Sequence, residues 1–128
     1  MIYVTGAIII QNKKVLIARR APNEKFAGFW EFPGGKIENN ETHESCLRRE
    51  LNEEFNIEVR VSNLFYENIY EYSNMTVHLF FYLANIINGE IMLNVHDKII
   101  WAARSDLLTY TFLPADISVA KKIVEVLL

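Results

Sequence analysis

The sequence predicts an α/β sandwich (α+β in the broader sense), a single domain over residues 1–128 with a mixed sheet at its centre. β-rich segments precede and follow one central amphipathic helix, and a second amphipathic helix closes the chain. The length matches one ordinary domain and leaves no room for a second. Because 51% of the residues are hydrophobic and 23% are charged, the chain can also build a packed core.

The part of the chain before the central helix is predicted to form short strands. Residues 3–10 are rich in β-branched side chains and predict a buried strand, the sequence QNKK turns the chain, and residues 15–18 predict a second strand. The aromatic sequence FWEF is typical of a strand end, and the Pro33-Gly34-Gly35 turn that follows is predicted to stop it.

The central helix is predicted to begin after Thr42, a typical N-cap residue, and to run to about Phe55. Leu47, Leu51 and Phe55 recur every four residues and form one apolar stripe for the core. Asn56 stands where a helix often ends on a left-handed residue, a conformation that Asn tolerates better than most residues with a side chain.

The part of the chain after the central helix is predicted to add three strands and a helix. Residues 57–72 and 76–87 are long β-rich segments around the sequence SNM and predict an antiparallel pair. Residues 98–102 predict an edge strand, and an apolar stripe predicts a helix over residues 115–128. The residues of that stripe are Ile117, Ala120, Ile123, Val124 and Leu127.

The charge and the cysteine content limit the classes of function. A net charge of −3 and an isoelectric point of about 5.6 argue against a general affinity for nucleic acid polymers, but not against a free nucleotide. The single cysteine, Cys46, excludes an internal disulfide and favours a reducing compartment. The chain has no signal-peptide pattern, and its longest apolar stretches, such as residues 79–84, are too short for a membrane span. We therefore expect a cytoplasmic protein without membrane contact.

Three carboxylates crowd onto the central helix within five residues. Glu50, Glu53 and Glu54 are separated by three and four positions and are therefore predicted to share one face. Such like-charged pairs oppose an isolated helix by roughly 0.2–0.5 kcal/mol each, and by more where the face is buried. Arg49 can reach Glu53 but cannot neutralise three acids, whereas a divalent cation can. From the helix alone, a solvated polar face is the alternative explanation.

The residues before the helix favour the cation. Gly34 and Gly35 allow the backbone to approach a ligand closely and let carbonyl oxygens point at it. Mg²⁺ binds carboxylates and carbonyls, keeps several waters and usually completes its shell with substrate phosphates. Water bound to a metal deprotonates more easily, and a nearby glutamate can act as its base. The residues thus point to magnesium-assisted chemistry at a phosphate.

A longer pattern around these acids resembles a known family. Gly35, five residues, Glu41, seven residues and the sequence RELNEEFNI resemble the Nudix box, which ends in Arg-Glu-apolar-any-Glu-Glu-any-Gly-apolar. Eight of its nine specified positions are filled, and Asn56 replaces the final glycine. The filled positions are Gly35, Glu41, Arg49, Glu50, Leu51, Glu53, Glu54 and Ile57.

The likeness extends beyond the box. The sequence WEFPGGKIE, the pair Arg19-Arg20 and the sequence PAD before the last helix are similar to MutT-type nucleoside triphosphate pyrophosphohydrolases. The resemblance implies the Nudix α/β/α sandwich, a Mg²⁺ cofactor for which Mn²⁺ can substitute, and the reaction of a (d)NTP with water to give (d)NMP and pyrophosphate. We expect a monomer or a homodimer that acts on a small nucleoside triphosphate.

The resemblance also implies roles in the chemistry. The Gly34 carbonyl would hold the metal together with Glu50, Glu53 and Glu54. Glu50 and Glu53 are the candidate catalytic acids, and the position of Glu50 is the one cast as general base in MutT-like members. Arg49 would orient a glutamate through an ion pair. Ligand and base roles shift between branches of the family, so the identity of the base stays open.

In relatives a further acid from a late loop often joins the metal shell. The corresponding loop here reads NVHDKIIW, with Val95 at the place where the carboxylate is expected. Asp97, two residues away, is the expected substitute as a metal ligand. The departure leaves the number of metal ions open.

MutT-like relatives hold the nucleotide through residues spread along the chain. Phe32 can stack on the base or be an ordinary core aromatic, and Arg20 can meet a phosphate or a base edge. An ionised Asp116 would accept hydrogen bonds from the base, or it simply caps the last helix. The substrate-binding set that the resemblance implies is Arg20, Glu31, Phe32, Gly34, Gly35 and Asp116.

The base of the nucleotide stays open between two predictions. The first is sanitation of the nucleotide pool from 8-oxo-dGTP or a related nucleotide, and the alternative is CTP, dCTP or 5-methyl-dCTP, because the PAD sequence looks like the branch that acts on CTP and dCTP. Dinucleotide polyphosphates, nucleotide sugars and a non-catalytic nucleotide-sensing role are weaker alternatives, since the chain is short and keeps the box glutamates. The histidines lack zinc-site spacing. His96 is expected at the surface, with a place in the loop that lines the substrate site as the alternative.

Overall fold

The computed structural model describes residues 1–128, and its elements follow the predicted order with two additions, β4 and α2. The strands are β1 (Ile2–Gln11), β2 (Lys14–Arg19), β3 (Trp30–Glu31), β4 (Gly34–Lys36), β5 (Glu58–Tyr72), β6 (Met75–Asn88) and β7 (Lys98–Ala103). The α-helices are α1 (His43–Phe55), α2 (Arg104–Leu107) and α3 (Ile117–Val126), and Pro114–Asp116 form a 3₁₀ turn.

The strands form a mixed sheet, as the sequence predicts. β1 lies at its centre, parallel to β6 and antiparallel to β2 and β4. β5 pairs antiparallel with β6, which confirms the predicted pair, and β7 pairs only with β2, which confirms the predicted edge strand. The strand order β3-β2-β1-β6-β5 places the two strands that follow α1 on the far side of β1 from β2.

Helices cover both faces of the sheet. Because alternate residues of a strand point to opposite faces, Ile8 of β1 belongs to the core beneath α3, while Ala7 and Ile9 belong to the core beneath α1. Each fully buried Leu or Phe side chain in these cores contributes roughly 1.5–3 kcal/mol. The buried residues are Cys46, Leu47, Leu51 and Phe55 in α1, and Val119, Ala120 and Ile123 in α3. The result is an α/β/α sandwich. No helix combines the length and the hydrophobicity that crossing a membrane requires.

Both ends of α1 are capped as the sequence predicts. The Thr42 hydroxyl accepts a hydrogen bond from the Ser45 N–H, and the Ser45 hydroxyl accepts one from the Thr42 N–H in return. Asn56 has the left-handed conformation with a φ of 59° and donates its N–H to the Asn52 carbonyl. Because these contacts satisfy backbone groups at both ends, they fix where α1 begins and ends and hence where its acids point.

Two boundaries differ from the prediction. Gly34–Lys36 form strand β4 against β1 instead of stopping the chain. A Cβ atom on Gly34 would lie 2.0 Å from the Thr5 carbonyl oxygen, so glycine is what lets the two strands approach each other. The last helix begins at Ile117, two residues later than predicted, because Pro114 starts a 3₁₀ turn before it.

Candidate active site

A cavity of about 440 Å³ lies beside β1 and β4 and takes residues from most parts of the chain. It brings together eight residues that the sequence singles out, from β3 and the residue after it, β4, α1, the loop after β2 and the 3₁₀ turn. These are Arg20, Glu31, Phe32, Gly34, Gly35, Glu50, Glu54 and Asp116. Three other predicted site residues do not line the cavity, namely Arg49, Glu53 and Asp97.

Helix geometry separates the three clustered acids. At about 100° per residue, Glu54 lies about 40° from Glu50 toward the buried stripe, whereas Glu53 lies about 60° from Glu50 on the other side. Glu50 and Glu54 accordingly face the cavity, and the Glu53 side chain is 59% exposed. Glu53 does not line the cavity, although its carboxylate and that of Glu50 accept hydrogen bonds from the same Arg49 Nη1 atom, and its charge contributes to the raised pKa of both Glu50 and Glu54. No three acidic, histidine or cysteine side chains converge on one metal position.

Arg49 binds the acids around Glu50. Its guanidinium donates hydrogen bonds to Glu41 at 2.6 Å, to Glu50 at 2.9 Å and to Glu53 at 3.3 Å. The contact with Arg49 lowers the pKa of Glu41 to about 2. Arg49 makes no hydrogen bond to Glu54, so this acid in the cavity wall is left without a basic partner.

Glu54 is that acid. Burial, followed by the charges of Glu50 and Glu31, raises the pKa of Glu54 to about 8. Its Oε1 atom is buried and makes no hydrogen bond. Burial also raises the pKa of Glu50, although Arg49 opposes the shift. Two carboxylates thus lie together in the cavity wall with a repulsion that a proton or a bound cation relieves.

This donor set fits a divalent cation such as Mg²⁺. The orphaned Glu54 Oε1 is a hard oxygen ligand in need of a partner, and the Glu50 carboxylate lies in the same wall. Gly34 lines the cavity and has no side chain to obstruct an ion at its backbone. Mg²⁺ keeps several waters and takes further oxygens from substrate phosphates, so two carboxylates with a backbone oxygen are sufficient protein ligands.

The backbone of Gly35 lies directly against the Glu50 carboxylate. A Cβ atom at this position would lie 2.2 Å from Glu50 Cδ. Next to Gly35, the Cys46 thiol lies 3.2 Å from the Thr5 hydroxyl and 3.4 Å from the Lys36 carbonyl oxygen. The Cys46 thiol is fully buried, and burial raises its pKa, as is typical of a structural cysteine. These contacts join β1, β4 and α1 beside Glu50.

A second set of polar contacts surrounds Glu31. Arg20 Nη1 donates to the two carboxylate oxygens of Glu31 at 3.1 and 3.3 Å, and Arg20 Nε donates to the Lys25 carbonyl at 2.6 Å. His96 Nε2 lies 2.7 Å from Glu31 Oε2. The prediction that His96 lies at the surface is wrong, because its side chain is only 2% exposed. No sequence signal locates this contact, since the two residues are 65 positions apart.

Phe32 and Asp116 meet in the interior. Phe32 is a core aromatic, which was one of the two alternatives from the sequence: it is buried and stacks on Phe112 with ring centroids 5.3 Å apart. The Asp116 carboxylate accepts a hydrogen bond from the Phe32 N–H at 3.2 Å and makes no capping hydrogen bond to α3. Asp116 thus occupies the N-cap position of α3, but its side chain lines the cavity and does not cap the helix.

Burial favours the protonated form of Asp116. Burial and then the charge of Glu31 raise the pKa of Asp116 to about 8, against the opposing effects of the Phe32 N–H and of Arg20. A protonated carboxyl group both donates and accepts hydrogen bonds, as an amide does. The expectation from the sequence that Asp116 acts only as an acceptor applies to its ionised form, which burial disfavours.

We predict that Asp116→Asn reduces the loss of stability toward alkaline pH. The native pKa of about 8 lies above the unfolded value of about 3.9, so the native state holds this proton more tightly. Between the two values, wild-type stability falls as pH rises, by at most about 1.4 kcal/mol per pH unit, and Asn removes this slope. Urea unfolding from about pH 5 to pH 8 should show the variant gaining on the wild type at each step.

Asp97→Asn provides the control for this measurement. The ion pair with Arg19 lowers the pKa of Asp97, so the contribution of this group is complete above its unfolded pKa and is lost only as pH falls further. The difference between this control and the wild type should therefore stay constant over the same pH range. If Asp116→Asn also differs from the wild type by a constant amount, Asp116 is ionised throughout and the assigned protonation state is incorrect.

The structure does not bring Asp97 to the position expected for a metal ligand. Arg19 Nε and Nη2 donate to its two carboxylate oxygens at 2.8 and 3.1 Å. The ion pair lies at the surface, outside the cavity wall. The Asp97 carboxylate is therefore paired outside the cavity. It adds no acid to Glu50 and Glu54, which face the cavity from α1.

The sequence is similar to those of known proteins over most of its length. The profile of the NUDIX domain matches residues 2–123. The CTP pyrophosphohydrolase of Escherichia coli (strain K12) is 36% identical over 117 residues, which cover 91% of this chain and 87% of that protein. The 8-oxo-dGTP diphosphatase of Proteus vulgaris is 38% identical over 86 residues, which cover 67% of this chain and 77% of that protein.

Solved structures have the same fold. The solution structure of the E. coli ORF135 protein matches with a TM-score of 0.84 and 33% identity, over 98% of this chain and 89% of that one. The crystal structure of the MutT NUDIX hydrolase from Burkholderia pseudomallei matches with a TM-score of 0.83 and 26% identity, over 99% of this chain and 98% of that one. With a domain match over nearly its full length and relatives above 30% identity, the chain belongs to the NUDIX domain family.

Proposed function

We propose that the protein is a Mg²⁺-dependent nucleoside triphosphate pyrophosphohydrolase, which converts a (d)NTP and water into the (d)NMP and pyrophosphate. The observation that carries the proposal is the buried, unpartnered Oε1 of Glu54 beside Glu50, in the wall of a cavity of the size that small-molecule ligands occupy. The names of the relatives, CTP pyrophosphohydrolase and 8-oxo-dGTP diphosphatase, support the reaction class.

Glu50, Glu54 and the Gly34 carbonyl are the residues that would hold Mg²⁺, for which Mn²⁺ can substitute. When bound, the ion shields the phosphate charge and lowers the pKa of a coordinated water. Arg49 orients Glu50 through the 2.9 Å hydrogen bond and also binds the exposed Glu53 at 3.3 Å. Glu50 and Glu53 stay the two candidate bases that the family resemblance implies.

We propose 8-oxo-dGTP or a related purine nucleotide as the substrate, in sanitation of the nucleotide pool. With its proton, Asp116 can donate to a carbonyl oxygen and accept from an N–H group, which suits a purine edge that carries both. Arg20, beside Glu31 in the cavity wall, can meet a phosphate or a base edge. CTP, dCTP or 5-methyl-dCTP is the second candidate, because the CTP pyrophosphohydrolase relative matches 91% of the chain.

The proposal also covers the oligomeric state, the cellular location and the partner of the protein. One catalytic domain over residues 1–128 would act as a monomer or a homodimer in the cytoplasm, where free nucleotides are found. The net charge of −3 supports a free nucleotide, and not a nucleic acid polymer or an anionic membrane surface, as the partner.

We expect the purified protein with Mg²⁺ to release pyrophosphate and not orthophosphate from at least one nucleoside triphosphate. The assay compares kcat/KM for 8-oxo-dGTP, dGTP, CTP, dCTP and 5-methyl-dCTP, and excess EDTA provides the control that abolishes turnover. Orthophosphate as the sole product would refute the assigned cleavage position. Nucleotide binding without release of either product would favour a non-catalytic nucleotide-sensing module.

A further inference from the structure

His96 is a buried polar residue to which the proposed reaction gives no role. Its ring stacks on Phe55, with centroids 5.1 Å apart and planes 15° from parallel. Its Nε2 lies 2.7 Å from Glu31 Oε2, whereas Nδ1 is buried without a partner. Because Nε2 is the nitrogen that faces a carboxylate, Nε2 carries a proton and donates it in a hydrogen bond to Glu31.

The loop that carries His96 is held at a fixed distance from the cavity. The Asp97 N–H donates to the Arg19 carbonyl at 3.2 Å, which ties the loop to the end of β2. The Asn94 N–H donates to the Glu54 carbonyl at 3.1 Å, which ties the loop to the end of α1. Hydrogen bonds to β2 and to α1 therefore fix the backbone on both sides of His96, whose imidazole contacts Glu31.

Glu31 lies close to two other acidic side chains, Glu54 and Asp116. It lines the cavity, and its charge contributes to the raised pKa of both Glu54 and Asp116, so it lies within electrostatic reach of the metal-binding acids and of the proposed base-binding group. A carboxylate in such surroundings turns toward water unless donors hold it. Arg20 is one donor, and His96, from the protein interior, is the other.

We propose that His96 is a positioning residue for nucleotide binding, which holds the Glu31 carboxylate, and through it the Arg20 guanidinium, in the cavity wall. His96 does not itself line the cavity, so it acts through Glu31. The inference rests on the proposed function, because it concerns how the same cavity holds its nucleotide.

The expected effect is on binding more than on the hydrolytic step. Loss of a hydrogen bond to a charged group that positions a ligand weakens binding by about tenfold or more. We therefore expect His96→Phe, which keeps the stack on Phe55 but has no donor, to raise KM at least about tenfold and to leave kcat within about threefold. His96→Gln, whose amide nitrogen can occupy the place of Nε2, should restore most of the wild-type KM.

His78 provides a matched control. It also stacks on a phenylalanine, Phe80, with centroids 4.2 Å apart, and its Nε2 lies 2.9 Å from the Glu67 carboxylate, but neither His78 nor Glu67 lines the cavity. His78→Phe removes the same kind of contact and should leave KM and kcat unchanged. Unfolding temperatures of all three variants establish that each is folded before kinetics are compared.

Two further measurements separate this inference from the proposed function. Calorimetric titration of the metal-free protein with GMP and CMP reports nucleotide binding without turnover, and His96→Phe should weaken it about as much as KM rises. A crystal structure of His96→Phe should show the Glu31 carboxylate displaced from Arg20, which is independent of any activity. If the wild type turns over no triphosphate, the proposed function fails, while the crystal structure still decides whether His96 positions Glu31.

Three results would overturn the positioning role. The first is a folded His96→Phe with wild-type KM and an undisplaced Glu31. The second is His96→Gln behaving like His96→Phe, which would assign the effect to the imidazole ring and not to its hydrogen bond. The third is an equal loss in the His78→Phe control, which would assign it to general destabilisation.

Discussion

Glu54→Gln should lower kcat/KM by at least about 10³-fold, corresponding to a loss of about 4 kcal/mol of transition-state stabilisation. Glu54 carries the one buried carboxylate oxygen in the cavity wall that has no hydrogen-bond partner, so it is the ligand that a cation would complete. Without Mg²⁺, the unfolding temperature of the variant should equal or exceed that of the wild type, because glutamine needs neither a bound proton nor a buried charge beside Glu50 and Glu31. Steady-state kinetics and thermal unfolding in EDTA check both parts.

The addition of Mg²⁺ provides a second readout for the same variant. A cation that binds only the native state raises the unfolding temperature of the wild type, and the rise should be reduced in Glu54→Gln. Glu44→Gln is the matched control, since Glu44 lies on the same helix but is exposed and pairs only with Arg48, at 3.9 Å. Full activity of Glu54→Gln, or an undiminished response to Mg²⁺, would remove Glu54 from the metal site.

Gly35→Ala should lower kcat/KM by about 10²-fold while the protein still folds. The new Cβ would lie 2.2 Å from Glu50 Cδ, so the carboxylate must move away from its place in the cavity wall. A displacement of about 1 Å in a catalytic group can cost about 10²-fold in rate. The clash is with the end of a flexible side chain and not with backbone, so the unfolding temperature should change much less than the rate does.

A double-mutant cycle tests whether this effect acts through Glu50. If the alanine acts by displacing that carboxylate, Gly35→Ala combined with Glu50→Gln should be no slower than Glu50→Gln alone. Multiplied losses in the double variant would show that Gly35 acts by another route, such as its own contact with the substrate. Wild-type activity of Gly35→Ala would show that the position of Glu50 does not matter to the reaction.

The parts of the fold that follow from local patterns were predictable. The ends of α1 depend on Thr42 and Asn56, which act on backbone groups within four residues. The stripe of Leu47, Leu51 and Phe55 depends only on helical periodicity, and all three are buried as predicted. Strand β4 was missed because its pairing depends on how closely β1 can approach Gly34, a contact between segments about 30 residues apart.

The candidate site likewise contains features that local sequence patterns predict and features that they do not. The spacing of Glu50 and Glu54 placed both on one face of α1, and the structure finds both in the cavity wall. Glu53 faces solvent because it lies farther around the helix axis from the buried stripe than Glu50 and Glu54 do. The spacing of the acids from one another does not give this angle. The contact between His96 and Glu31 was not predictable, since no pattern in the sequence joins the loop before β7 to β3.

The sequence by itself determined most of the helices and strands, the mixed sheet, the family and the candidate acids, because periodicity, capping and motif spacing act over a few residues. Only the tertiary structure decided which acids lose water. Desolvation depends on neighbours brought from distant parts of the chain, and it is burial that raises the pKa of Asp116 and Glu54 to about 8 and that encloses His96 beside Glu31.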